Sequence, residues 1–167
     1  MAYWLCIGFV LAFGMAVFPF GSIEVFLIGL AVNRPDIPWL ALGAAVATGQ
    51  VLGKLVHFYA ARGALRLPAL IRPAPDATPE RGRPGWRTRL TATMASATER
   101  AERHPGWLHA VFAVSALVGL PPFGATTVLA GLVGVRPGVF LAVGLLGRIT
   151  RYSGLAAAPG LLTHVFF

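Results

Sequence analysis

Residues 18–32 read FPFGSIEVFLIGLAV and residues 121–135 read PPFGATTVLAGLVGV. Laid over one another, they pair Pro19 with Pro122, Phe20 with Phe123 and Gly21 with Gly124. Each stretch interrupts a long apolar segment near its middle. Proline withdraws a backbone donor and clashes with the preceding turn, and glycine loosens the chain. A kinked helix that still crosses a bilayer is one reading of such a break. The other is a hairpin that dips to the midplane and returns. Length favours the hairpin: at 1.5 Å per residue the run from Tyr3 to Phe18 reaches about 24 Å, short of a hydrocarbon core of about 30 Å. The breaks are assigned to Pro19 and Gly21 in the first half and to Pro121, Pro122 and Gly124 in the second.

Outward from the two breaks, the chain divides into four apolar stretches: Tyr3–Val32, Trp39–Ala61, Trp107–Val135 and Gly138–Phe167. Each holds enough residues to cross a bilayer. Each broken stretch is followed by a Pro-led turn and a Gly-rich span carrying basic residues. A hairpin plus one full span in each half turns the second half over relative to the first, which is the inverted repeat of many transporters. The expected fold is an all-α membrane protein, an inverted repeat of re-entrant hairpin and transmembrane helix. One membrane domain covers 1–167, with repeats at 3–61 and 107–167 and a basic connection at 62–106.

Composition agrees with this reading. Of 167 residues, 56% are hydrophobic and 12% charged, against about 45–50% and 25% in soluble domains. The excess apolar surface needs lipid to face. Net charge is +8 and is concentrated. From Arg62 to His104, nine Arg face four acids, Asp76, Glu80, Glu99 and Glu102. Between apolar segments such a block marks the cytoplasmic side of a membrane rather than nucleic-acid binding. A multi-pass protein of the cell membrane is expected, with 62–104 inside and the loop around Arg34 and Asp36 outside. Within the block, Leu67–Gly85 carries five prolines and reads as a linker. Trp86, Leu90, Met94, Ala97 and Ala101 recur at helical spacing, as in an amphipathic helix on the membrane surface. Cys6 is the single cysteine, so no disulfide or thiolate metal site is expected. Without a basic leader before it, the first apolar stretch is expected to stay in the mature protein.

Charges inside apolar spans are costly and mark function. Glu24 follows the first break, in the first turn of the returning helix, where the helix dipole favours a carboxylate and Ser22 is placed to cap. Gly144, Arg148 and Arg151 share one face of the fourth span, too deep to reach water, and should turn inward toward Glu24 or an anion. Guanidinium forks suit phosphate. Gln50, Lys54 and His57 make a second polar stripe, with Lys54 read as snorkelling to the cytoplasmic surface. Gly49 and Gly53 read as a close helix contact. His57, His104, His109 and His164 lack ligand spacing, and neither a P-loop nor a nucleophile elbow is present. No enzyme, cofactor or metal is expected.

At these residues the chain resembles the DedA/VTT membrane family (the SNARE-associated Golgi protein type), above all its short, YqaA-like members. FPFGSIEVFLIGLAV and PWLALGAAVATGQVLGKLVHFYAARG (38–63) resemble the first-half signature. PPFGATTVLAGLV and FLAVGLLGRITRY (140–152) resemble the second, and Gly147-Arg148-x-x-Arg151-Tyr152 is its most specific piece. The resemblance covers about 17–67 and 107–158. It implies an inverted repeat, movement of lipids or lipid-linked phosphates between leaflets, and proton-driven transport in some members. Glu24 falls at the hairpin carboxylate, Arg148 and Arg151 at the basic residues of the last span. The chain departs at Ala125, where short members usually carry Asp; Thr126 and Thr127 are the polar groups left there. The expected substrate and coupling residues are Glu24, Arg148, Arg151, Ser22, Thr126, Thr127 and Gln50. The expected function is a flippase-like transporter acting on an anionic lipid or lipid-linked phosphate. The other readings are a small-solute or drug exporter, a membrane lipid-phosphate hydrolase and an assembly factor without substrate.

Overall fold

The computed structural model describes residues 1–18, 22–63, 96, 99, 100 and 103–166, the side chains of Pro105 and of residues 160–166 excepted. Within that set six principal helices follow one another: α1 (Ala2–Val17), α2 (Ile23–Asn33), α3 (Trp39–Ala61), α4 (Pro105–Val118), α5 (Phe123–Leu132) and α6 (Pro137–Phe166). The described residues form no strand. α3 is long and apolar enough to cross a membrane, while α1, α2, α4 and α5 are shorter apolar helices. The breaks expected in the first and third apolar stretches are present as interruptions between short helices. The first and third stretches are each cut into two helices of about 15–24 Å, too short for a hydrocarbon core.

The cuts follow from local chemistry. Phe18 is extended (φ −112°, ψ 116°), as the residue before a proline should be. α4 stops at Gly119, whose φ of +90° is the left-handed helix end that glycine adopts without strain. Pro121 and Pro122 follow, and Pro122 precedes the first turn of α5. Gly124, expected in the break, lies inside that first turn; the break occupies 119–122. Pro19 and Gly21, and the amphipathic helix expected over Trp86, Leu90, Met94, Ala97 and Ala101, lie outside the described residues. α5 ends on a Schellman turn: the Val135 N–H donates to the Ala130 carbonyl and the Gly134 N–H to that of Gly131, with Gly134 at φ +76°.

Both short-helix pairs fold back on themselves. The Arg34 guanidinium, just past α2, sits 5.6 Å from the ring centroid of Trp4 in the first turn of α1. A continuous helix would put those residues about 45 Å apart. In the second pair Leu108, near the start of α4, packs with Leu129 near the end of α5, beside Trp107 and Val133. The loop after α2 is pinned by two Arg34–Asp36 hydrogen bonds of 2.8 and 2.9 Å, which hold the Asp36 carboxyl below the ordinary aspartate range.

Small residues set the helix directions. A Cβ at Gly49 or Gly53 would run into Phe9, Ala12, Phe13 and Ala16 of α1, so α1 lies against α3 and parallel to it. Gly147 meets Ala116 and Leu117, and Phe112 stacks at 5.1 Å from Phe140, so α4 runs parallel to α6. Gly43 meets Ser153, and Gly144 meets Val51, so α3 and α6 cross antiparallel at the centre. α2 packs on α6, and α5 on α3. The α1–α3 and α4–α6 groups therefore point in opposite directions. One apolar cluster joins Ala12, Leu27, Leu42, Val46 and Tyr152; another joins Val51, Phe58, Phe112, Phe123 and Phe140.

Candidate functional site

The end of α1, the start of α2, the end of α4 and the start of α5 come together beside α3 and α6, and charged residues of these helices collect there. Glu24, one residue into α2, accepts two hydrogen bonds on Oε1 from Arg151 of α6: 2.7 Å from Nη2 and 3.2 Å from Nε. The same guanidinium donates through Nη1 to the Val118 carbonyl, the last of α4. A cation there matches the negative end of the α4 dipole and satisfies a carbonyl without a helical partner. Arg151 thus ties α2, α4 and α6 together. Gly119 makes room for it, since a Cβ there would lie 2.9 Å from Nη1.

Arg148, one turn earlier on α6, has a different environment. It is 6% exposed. Nη1 donates to the Tyr152 hydroxyl at 3.2 Å, and the guanidinium lies 4.2 Å from the ring centroid of Phe123, the first residue of α5. Its Nε is buried without a hydrogen-bond partner among the described residues, and no described carboxylate pairs with it. Stacking on an aromatic face offsets part of the desolvation of a buried guanidinium, and Glu24 acts on it at a distance without forming an ion pair.

Lys54 corrects its sequence reading. It does not snorkel: its Nζ donates to the Ala16 carbonyl of α1 at 2.8 Å and acts electrostatically on Arg148. A Cβ at Gly124 would lie 3.7 Å from this ammonium. The reason is reach within the bundle. Gly53 lets α1 approach so closely that the carbonyls ending α1 come within reach of Nζ, and they attract a cation. The two long helices therefore each send one cation to the end of a short one, Lys54 to α1 and Arg151 to α4.

The remaining candidates have varied settings. Ser22 precedes α2 with extended backbone but makes no side-chain capping bond, so the expected cap is corrected; the residue is exposed. The Thr126 hydroxyl is within hydrogen-bond reach of Ser115 Oγ at 3.0 Å and of the Phe123 carbonyl at 3.1 Å. Thr127 donates to Phe123 at 2.7 Å, and Ser115 to the Pro121 carbonyl at 2.5 Å. These hydroxyls staple the second hairpin and do not reach Arg148 or Lys54. Gln50 Oε1 and His57 Nδ1 are buried without partners among the described residues. Sequence reasoning missed Gly119, Tyr152 and Phe123 as site builders. A glycine directly before Leu-Pro-Pro and a tyrosine four residues after a buried arginine were the available signals. Among the described residues no group of His, Cys, Asp or Glu forms a metal site.

Comparison with protein-family models, with curated proteins and with solved structures gave no match for this chain.

Proposed function

We propose that the chain is a multi-pass membrane protein that binds the phosphate of an anionic lipid or lipid-linked molecule at Arg148 and moves it between leaflets. The observation that carries this reading is Arg148 itself, a buried guanidinium that pairs with no carboxylate among the described residues, Glu24 being bonded to Arg151. The cluster holds Arg148, Arg151 and the Lys54 amine, with Glu24 as the carboxylate among the described residues. A positive charge beyond the Arg151–Glu24 pair is costly in a low-dielectric setting until an anion joins it. The first turn of α5, beside the Phe123 platform, offers a positive dipole end to such an anion.

The membrane part of the proposal draws support from α3 and from the apolar side chains left outside, among them Val10, Val25, Val32, Leu52, Val114 and Leu146. The folded-back pairs read as re-entrant hairpins, and the opposed helix groups as an inverted repeat with its halves meeting at the site. This is also the arrangement that resemblance to the DedA/VTT family implies. On this reading 62–104 faces the cytoplasm. Export of a cationic solute is the weaker alternative, because the excess charge repels it. Hydrolysis is less supported, because no carboxylate among the described residues pairs with Arg148 to serve as the acid or base.

The deciding experiment is lipid binding and scrambling in proteoliposomes with a panel of phosphate and neutral head groups. Arg148→Gln should weaken binding of the preferred phosphate lipid by about 1.5–3 kcal/mol, roughly ten- to a hundredfold, the size of a charge-assisted hydrogen-bond set. Arg148→Lys should recover part of it. Equal binding of phosphate and neutral lipids by wild type and Arg148→Gln would reject the site.

The hairpin arrangement has its own test. Tags placed before residue 2 and in the loop after Arg34 should be cleaved by protease from the same side of sealed vesicles. Cleavage from opposite sides would make α1 and α2 one bent span.

A further inference from the structure

Fourteen residues of this chain are Lys or Arg, and one of them is lysine: Lys54. Every other basic position, in the linker, the loops and the last span, is arginine. Arginine keeps its proton in proteins, whereas a lysine amine gives its proton up when its surroundings demand it. The one member of these fourteen able to do so is part-buried within the bundle.

Its surroundings are balanced. The Ala16 carbonyl, at the negative end of α1, accepts from its ammonium at 2.8 Å. Near it as well are Arg148 and the first turn of α5 at Gly124, whose absent side chain brings that positive helix end close to Nζ. From α6 the titratable or charged groups are Arg148, Arg151 and Tyr152, with Arg151 engaged by Glu24 of α2 and Tyr152 by Arg148. On α3 itself His57 lies three residues away and feels Lys54. α5 carries no titratable side chain, and those of α1, Tyr3 and Cys6, lie at its opposite end. No described carboxylate pairs with Lys54.

We propose that Lys54 is the proton-exchanging group of the anion site: a phosphate anion arriving beside Arg148 draws a proton from water onto the Lys54 amine, and departure of the anion returns that proton. The empty site then holds a neutral amine, Arg148 and the Arg151–Glu24 pair. The loaded site holds an ammonium and the anion, so each turnover carries one proton with the anion. The inference deepens the anion-site reading and rests on it. It assigns the coupling proton to an amine rather than to a carboxylate, in a chain with Ala125 beside the second break.

Because the lysine is unique, 13Cε-lysine labelling gives one side-chain resonance, whose shift reports amine protonation. The full chain in phosphatidylcholine nanodiscs is titrated with pH in three forms: alone, with phosphatidylglycerol in the disc, and with inorganic phosphate in solution. The phosphorus resonance of each probe reads binding independently. The expected result is that the probe that binds moves the amine titration upward by about one pH unit or more. Anion affinity then falls as pH rises between the two titration points, by up to about tenfold per unit, because the loaded state holds the extra proton. A response to phosphatidylglycerol names a lipid head group, and a response to inorganic phosphate a free anion. Lys54→Arg should bind at every pH as wild type binds at low pH. Saturable binding with an unmoved amine titration overturns the role of Lys54 and leaves the anion site standing. No saturable binding of either probe at any pH overturns both. The wild-type titration decides even if Lys54→Arg fails to fold.

Discussion

Glu24→Gln and Arg151→Gln should each destabilise the protein by about 2–3 kcal/mol, and the double variant should cost clearly less than their sum. Removing one partner of a fully buried pair costs about 3–5 kcal/mol, because it strands the other charge. The figure is lower here because the Glu24 side chain remains 38% exposed and that of Arg151 22%. Arg151 should be the more damaging single change, since it also leaves the Val118 carbonyl without its donor. The same cycle between Glu24 and Arg148 should show a much smaller coupling, because these residues share no hydrogen bond. Denaturant or thermal unfolding in detergent measures both couplings. Additive effects for Glu24 and Arg151 would mean that the pair does not form in the protein as it exists.

Gly49→Ala should be costly and Gly14→Ala nearly silent, although both change a glycine in an apolar helix to the best helix former. At Gly49 the new methyl collides with the Phe9 carbonyl and meets Ala12 at 3.2 Å. These are backbone and small-residue atoms that can yield only by moving α1 away from α3. Overpacking of that kind costs about 1–3 kcal/mol, and close small-residue contacts are a main source of helix association in lipid. Displacing α1 also takes the Ala16 carbonyl away from Lys54, so, on the proposed function, anion binding should fall together with stability. At Gly14 nothing lies within 4 Å of the added carbon. Melting temperatures of the two variants, side by side, make the comparison. Equal melting temperatures for the two variants would show that the close α1–α3 contact at Gly49 does not govern stability.

Several features were legible before any coordinates. Pro and Gly at fixed places must interrupt a helix, because one lacks a donor and the other tolerates a left-handed turn. The second break was therefore placed within a few residues. α3 could be bounded at Trp39 and Ala61 because its apolar composition runs unbroken between a Pro-led loop and an Arg-Gly end. Glu24, Arg148 and Arg151 stood out because charges in apolar spans are rare, and their inward direction followed from depth.

Tertiary structure alone decided how those charges are shared. Arg148 and Arg151 are one turn apart on the same face, and no one-dimensional rule says which meets Glu24. The choice is made by the end of α4, whose last carbonyl and Gly119 hold Arg151 in place, and by Phe123 and Tyr152, which stack against Arg148. Lys54 was misread for the same reason. Snorkelling assumes that the nearest polar partner is at the membrane surface, but close packing at Gly53 brings the carbonyl end of a neighbouring helix within reach. Sequence determines which helices form and which side chains are too polar for lipid, because both follow from local backbone and solvation energies. Partner assignment depends on the distance between segments far apart in the chain, and here the small residues at the helix crossings set that distance.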